Sequence, residues 1–386
     1  MNQPENNTKT ITRKLPLKKI LGGGFLVLVV IVGVILVSKR ERADATSQAP
    51  STSSGQAIQS AQVPAVAILA PLDTVAYDAK ILQLANNPVP KVATDTGTST
   101  PATTPAKPVV TKPLLWPVKT VYPDAGALLP FNRIIAFYGN FYSKNMGILG
   151  QYPTDVVISK LNAVVAQWQT ADPSTPVIPA IHYIAETAQK DPGSDGLHVF
   201  RMPADQIQKA IDLANQVHGI AFLDLQIGKS TVTKEVTIIA PYLKLPNVEL
   251  GLDPEFAMKN GKKPGTVIGT MDASEINQAI AILSQIVTAN NLPPKILVIH
   301  RFTFDMVTNY KQITPTPQVQ VVMDMDGWGT PSHKTKTYHD VTYSQPVQFT
   351  GFKLFYKNDL QKPDMRMMTP QEVLKLRPIP SYIQYQ

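Results

Sequence analysis

No cysteine occurs in the 386 residues. That absence excludes disulfide scaffolds, thiolate zinc sites, cysteine nucleophiles and the lipidated cysteine of a bacterial lipoprotein. Stability must therefore come from packing. Charged residues are also scarce, at 17% of the chain. The formal net charge of +8 is concentrated at one end, since residues 1–42 hold eight Lys/Arg against two Glu and no Arg-rich run follows. Nucleic acid is not the expected partner. Local signatures are missing too. There is no G-x-S-x-G elbow, no G-x-x-x-x-G-K-S/T loop, no strand-G-x-G-x-x-G-helix unit and no H-E-x-x-H helix, so serine hydrolase, P-loop, Rossmann and zincin readings lack support. No internal repeat is evident.

What is present divides the chain. Ile20 to Ser38 are 19 uncharged, almost wholly apolar positions, which as a helix span about 28 Å, the thickness of a bilayer core. Lys9, Arg13, Lys14, Lys18 and Lys19 precede this run against Glu5 alone, whereas Lys39, Arg40 and Arg42 after it are partly offset by Glu41 and Asp44. The more positive flank places the N-terminus in the cytoplasm and the remainder outside it. A cleaved signal peptide is the competing reading, but the run exceeds the usual length of about 7–15 residues and no clear small-x-small site follows. The expected organisation is a cytoplasmic tail over 1–19, a transmembrane helix over 20–38, a Ser/Thr/Pro/Ala-rich linker over 39–115 and a folded domain over 116–386. Within the linker, apolar spacing and an Asn-Asn-Pro stop predict a short helix over 72–87.

The folded part alternates β-type apolar runs with helical segments. The strands are expected at Arg133–Tyr138, Val177–Tyr183, Ile220–Gln226, Val248–Asp253, Ile296–His300, Val319–Asp324, Gly351–Tyr356 and Ser381–Tyr385. The clearest helices are Thr154–Thr170, Pro203–Val217, Thr231–Leu243, Asp272–Asn290 and Thr369–Leu376. Asp272 followed by Glu275 has capping-box spacing. Eight strands over roughly 250 residues predict an α/β protein with a (β/α)8 TIM barrel, the alternative being a doubly wound sheet.

Active sites in such barrels gather at the C-terminal ends of the strands, where this sequence carries Tyr138, Asn140, His182, Glu186, Asp224, Gln226, Asp253, Glu255, His300, Arg301, Asp324, Asp326 and Lys353. Strand N-terminal ends show no comparable set. Period-two alternation puts Gly251, Asp253 and Glu255 on one face of their strand, and Asp324 and Asp326 on one face of theirs. Crowded carboxylates raise one another's pKa, which is how a general acid is made at neutral pH. Glu255 is the candidate acid, with Asp224, Asp253 and Asp326 as candidate partners, the pair that glycoside hydrolysis needs. In the competing reading Asp253 caps the following turn, Asp224 pairs with Arg301 or Lys353, and Asp326 starts an Asp-Gly turn. Tyr138, Trp328 and Tyr356 are candidate sugar platforms, Trp328 because its glycine neighbours leave its ring free.

The runs LDLQIGKS, LGLDPEF, PGTVIGTMDASEIN, LVIHRFTFDM, DMDGWGTPSHK, GFKLFY and MTPQEVLKLRP resemble a family of uncharacterised bacterial surface proteins, often lipoproteins, with a glycoside-hydrolase-like barrel. The resemblance covers about residues 130–386 and implies the fold. Asp253 and Glu255 also match by position the last D-x-E of the D-x-x-D-x-D-x-E signature of chitinase-type barrels, whose earlier acids are missing here. The leading expectation is a single-pass, membrane-anchored extracytoplasmic hydrolase with polysaccharide or glycan as its partner and no cofactor. Two alternatives stay open: a catalytically silent barrel that binds glycan or a protein partner, and a metal-assisted hydrolase using His182, His300 and the acids.

Overall fold

The computed structural model describes residues 70–88, 114–259, 261–363 and 365–386. The expected membrane helix over Ile20–Ser38, the tail before it and most of the linker lie outside the described residues. Among the described residues no helix is long and apolar enough to cross a membrane.

Eight parallel strands form the centre: β1 (Arg133–Gly139), β2 (Val177–Ala188), β3 (Ile220–Leu225), β4 (Val248–Leu252), β5 (Lys295–Arg301), β6 (Val319–Met325), β7 (Phe349–Leu354) and β8 (Tyr382–Tyr385). Each pairs with the next, and β8 returns to β1 with Ile134 opposite Tyr382, so the sheet closes. Closure decides between the two expected architectures. This is a (β/α)8 barrel, not a doubly wound sheet.

Four long helices cover the first half of the barrel: α2 (Thr154–Ala171), α3 (Ala204–Gln216), α4 (Val232–Leu243) and α5 (Ala273–Asn290), which follow β1 to β4. The α5 N-terminus carries the expected reciprocal box, with the Asp272 side chain and Glu275 each bonding the other's backbone. The second half departs from the ideal. After β5 there is only a 3-10 turn, Tyr310–Gln312; after β6, α6 (Pro331–Tyr338) runs into a π turn; and the helix expected over Thr369–Leu376 is a single turn, Pro370–Val373.

The period-two pattern sorts the strand side chains. Leu223, Leu225, Leu250, Leu252, Leu297, Ile299 and Val321 face outward and pack with Leu161, Trp168, Ile211, Val236, Ile280 and Leu283 of the helices. Ala136, Ala180, Phe222, Val298, Val322 and Tyr382 fill the lower barrel. The helix predicted over 72–87 exists as α1 (Thr74–Ala85), with Asp73 accepting from Ala76 N as its cap. It docks on the barrel rather than lying free in the linker. Tyr77 joins the lower-barrel cluster with Leu129, meeting Phe131 edge-on at 6.2 Å, while Ile379 N donates to Leu84 O at 2.7 Å.

The expectation that strand N-terminal ends lack polar residues does not hold. Arg133, Glu249, Lys295 and Gln320 are all buried there. Each has a structural partner: Arg133 the Asp172 carboxylate at 3.0 Å, Glu249 the Ile296 N–H, Lys295 the Leu245 and Val248 carbonyls, and Gln320 both polar backbone groups of Leu129. Partners of this kind are what allow polar groups to be buried there.

If α1 plugs that end, Tyr77→Ala should cost about 3 kcal/mol in denaturant unfolding, in the range for truncating a buried aromatic. A cost below about 0.5 kcal/mol would show the helix to be dispensable to the barrel.

Candidate functional site

At the other end the inward positions carry polar groups from every strand. Tyr138 comes from β1, His182 from β2, Asp224 from β3, His300 from β5, Asp324 from β6, Lys353 from β7 and Gln384 from β8, with Asp253 one residue past β4. Glycines make room for them. A Cβ at Gly251 would stand 2.4 Å from Asp224 Oδ1, and one at Gly351 would stand 2.5 Å from Asp324 Oδ1.

The contacts form one network. Tyr138 donates to Asp224 Oδ2 at 2.9 Å. Asp224 Oδ1 lies 3.3 Å from His182 Nε2 and 3.4 Å from His300 Nε2. On the far side of its ring, His300 Nδ1 faces Asp324 Oδ2 at 3.3 Å and Asp326 Oδ2 at 3.1 Å. Lys353 Nζ is 3.4 Å from Asp326 Oδ2 and sits 3.9 Å over the Tyr138 ring. His182 Nδ1 meets the Tyr382 hydroxyl at 2.5 Å, and Gln384 donates to that same oxygen. Asp253 Oδ1 accepts from Glu255 N, which caps the turn Pro254–Phe256, and Oδ2 accepts from Gln226. The structure thus gives Asp253 the capping role of the competing reading. It does not give Asp224 either of the cations of that reading.

Electrostatics splits these acids into two sorts. Burial, reinforced by Asp224 and Asp326, pushes the Asp253 carboxyl up to about 7. Burial together with Asp253 and Asp326 holds Glu255 well above the carboxylate range. Asp324 is also raised by burial. In Asp224 burial is outweighed by the two imidazoles, and in Asp326 by Lys353 and His300, so both are held low. Burial lowers His182 to about 4, while the surrounding carboxylates overcome burial at His300 and raise it well above its usual value.

The layer has a closed interior and one accessible edge. Tyr138, His182, Asp224, Asp253, His300, Asp324 and Lys353 are buried, whereas Glu255 and Trp328 are half-buried and Asp326 keeps 10% of its side chain exposed. Asp224 is therefore set back from any ligand outside the barrel. Of the candidate partner acids, Asp326 is the one whose side chain reaches the edge.

Four expected site residues are engaged away from the polar layer. Arg301 follows His300 and so points outward, where it donates to the Thr303, Phe304 and Val307 carbonyls and orders the loop after β5. Tyr356 packs edge-on against Phe137 and 5.5 Å from Tyr385, outside the wall. Asn140 is spent on backbone, donating to Ile184 O and accepting from Tyr142 N. Glu186 is displaced by a bulge: β2 pairs Ile184 with Asp224 but Glu186 with Leu225, an outward residue, so the alternation reverses. Glu186 instead lies 3.7 Å from Arg201 Nε, whose guanidinium grips Glu235. Burial and the neighbouring Glu235 push Glu186 up to about 10.

The glycines beside Trp328 are not free either. Gly327 O accepts from the buried Lys334 ammonium at 2.9 Å, and Gly329 N donates to Asp359 Oδ1, so Trp328 is presented on a pinned loop. Lys334, Asp359, Tyr382 and Gln384 were not expected from sequence. The alternation of SYIQY puts Tyr382 and Gln384 on one face and would have found the last two.

No family model matches the chain, and no curated protein matches it; the likeness to bacterial surface proteins rests on the quoted motifs alone. Among solved structures, the YdhT protein from Bacillus subtilis is similar at 13% identity over 67% of this chain and 81% of that one, with a TM-score of 0.36. The Bacillus subtilis mannanase man26 is similar at 14% over 66% and 80%, with a TM-score of 0.33. A ruminal GH26 endo-beta-1,4-mannanase is similar at 11% over 71% and 66%, with a TM-score of 0.34. Likeness at this level assigns no residue a role, and the barrel is established by its own strand pairings.

The Glu186 carboxyl offers a test of the bulge. Its folded pKa lies above the unfolded value of about 4.3, so its contribution favours the fold below that value and is lost as pH rises toward 10. Glu186→Gln should raise Tm at pH 8 by about 2–4 °C, with the gain shrinking toward pH 5. A gain that is absent, or equal at both pH values, would contradict this environment.

Proposed function

We propose that this chain is a membrane-anchored, extracytoplasmic glycoside hydrolase that cleaves a polysaccharide by carboxylate acid/base chemistry, with Glu255 as general acid and Asp326 as base or nucleophile. One observation carries the reading: at the edge of the polar layer the half-buried Glu255, whose carboxyl burial and the charges of Asp253 and Asp326 hold above the carboxylate range, accompanies a partly exposed Asp326 paired with Lys353 at 3.4 Å. One carboxyl that favours its proton and another that favours its charge are the two roles that glycosidic cleavage requires. Asp253, whose carboxyl adds to the effect of burial on Glu255 once it ionises near pH 7, is a positioning residue.

The substrate class follows from the surface around that edge. Trp328, two residues from Asp326, supplies an apolar face for a sugar ring. Tyr142, Phe200 and Phe304 are exposed on segments that leave the C-terminal ends of β1, β2 and β5. Aromatics spread around one end of a barrel suit an extended chain of sugars rather than a small molecule. The anchoring rests on the apolar run Ile20–Ser38 and its charge asymmetry.

Glu255→Gln should lower the rate of reducing-sugar release about 10²–10⁴-fold on whichever member of a panel of α- and β-linked polysaccharides the wild type cleaves, with binding retained. The wild-type rate should fall as pH rises and Glu255 loses its proton. If neither protein turns over any polysaccharide while both bind one, the barrel is a silent glycan-binding module and the hydrolase reading fails.

A further inference from the structure

Beneath the accessible edge lies a set of atoms that glycan cleavage does not use. His182 Nε2, His300 Nε2 and Asp224 Oδ1 converge from β2, β5 and β3, all on side chains with 0% exposure. None of the three has a hydrogen-bond partner, although each is surrounded by protein. They face one another at 3.3 and 3.4 Å without hydrogen-bond geometry, which is costly for buried polar atoms. Every other polar atom of the three residues is engaged or faced. Tyr138 donates to the second oxygen of Asp224, the Tyr382 hydroxyl meets His182 Nδ1, and Asp324 and Asp326 face His300 Nδ1.

We propose that His182 Nε2, His300 Nε2 and Asp224 Oδ1 bind a divalent transition metal, zinc being the best match to the donors. Two imidazoles and a carboxylate are ordinary zinc ligands, with metal–ligand bonds of about 2.0–2.2 Å, and binding would displace to solvent the Nε2 proton that the surrounding carboxylates hold on His300. Two ligand atoms of a tetrahedral site with such bonds stand about 3.3–3.4 Å apart, and the nitrogens lie 3.3 and 3.4 Å from Asp224 Oδ1. One ligand atom from each residue lies within 4.8 Å of the others. The outer partners are the kind that metal-bound histidines carry. A carboxylate or hydroxyl at Nδ1 fixes the ring and leaves the Nε2 lone pair for the metal. Gly251 keeps the approach clear, since a Cβ there would stand 2.5 Å from His182 Nε2 and 2.4 Å from Asp224 Oδ1. All three ligands are closed off from water, so the ion braces the layer instead of meeting substrate.

Metal binding is read without substrate and stands independently of the hydrolase reading. The untagged full-length chain, stripped with chelator, should take up one equivalent of Zn²⁺ in calorimetric titration with a Kd below about 1 µM. Co²⁺ in its place should give the intense visible bands of a tetrahedral site. His300→Gln and Asp224→Asn should each weaken Zn²⁺ by about 100-fold or more. Because either variant could fold poorly, ¹⁵N spectra of the wild-type imidazoles supply a second reading: added Zn²⁺ should shift the Nε2 signals of His182 and His300 while each ring keeps its Nδ1 proton. A folded wild-type chain whose imidazole spectra do not respond to Zn²⁺, or variants that bind it as tightly as the wild type, would overturn the proposal.

Discussion

A closed barrel has to fill its own interior, and near the C-terminal ends of its strands this chain fills it largely with ionisable side chains. Five carboxyl groups, Asp224, Asp253, Glu255, Asp324 and Asp326, meet one lysine and two histidines in a space mostly shut off from water. Buried charge is tolerated only when it is paired or neutralised. The remaining features of that end, from the glycines opposite the acids to the division of protons among them, are answers to this constraint.

The answer is layered. In the interior Asp224 accepts from Tyr138 and faces two imidazoles, and the His300 ring stands between it and Asp324 and Asp326. At the edge Lys353 compensates Asp326, leaving Glu255 and Asp253 without a cation of their own and therefore inclined to keep their protons. Chemistry at the edge and rigidity beneath it are then two consequences of one charge arrangement. Lys334 and Asp359 extend the arrangement outward, since the same ion pair that is buried beneath the loop fixes the backbone on both sides of Trp328.

Much of this was legible in the sequence because a β-strand writes its geometry at period two. The apolar runs located all eight strands, and the alternation in VELGLDPE and VQVVMDMD placed Asp253, Asp324 and Asp326 on the inward face. Wherever that period is broken or a neighbour competes, reading fails. The bulge at Ile184 and Glu186 turns Glu186 outward, and nothing in AIHYIAETA marks it. Arg301 stands next to an inward histidine and so has to point away. Asn140 lies on the correct face, but backbone groups claim its amide. Buried polar residues at the strands' N-terminal ends escaped notice because their partners, such as Asp172 for Arg133, are remote from the strands or belong to the backbone. Whether an acid has a cation beside it is a property of the assembled barrel, which is why Asp224 and Asp326 could not be ranked beforehand.

The central claim is that the shared interior sets Glu255 and Asp253 apart from ordinary carboxyl groups. Site-resolved ¹³C NMR titration of the side-chain carboxyls in the metal-stripped chain measures this directly. Asp253 should lose its proton near pH 7 and Glu255 should still hold its own there. Titration of both near pH 4, as in an exposed carboxylate, would contradict the account.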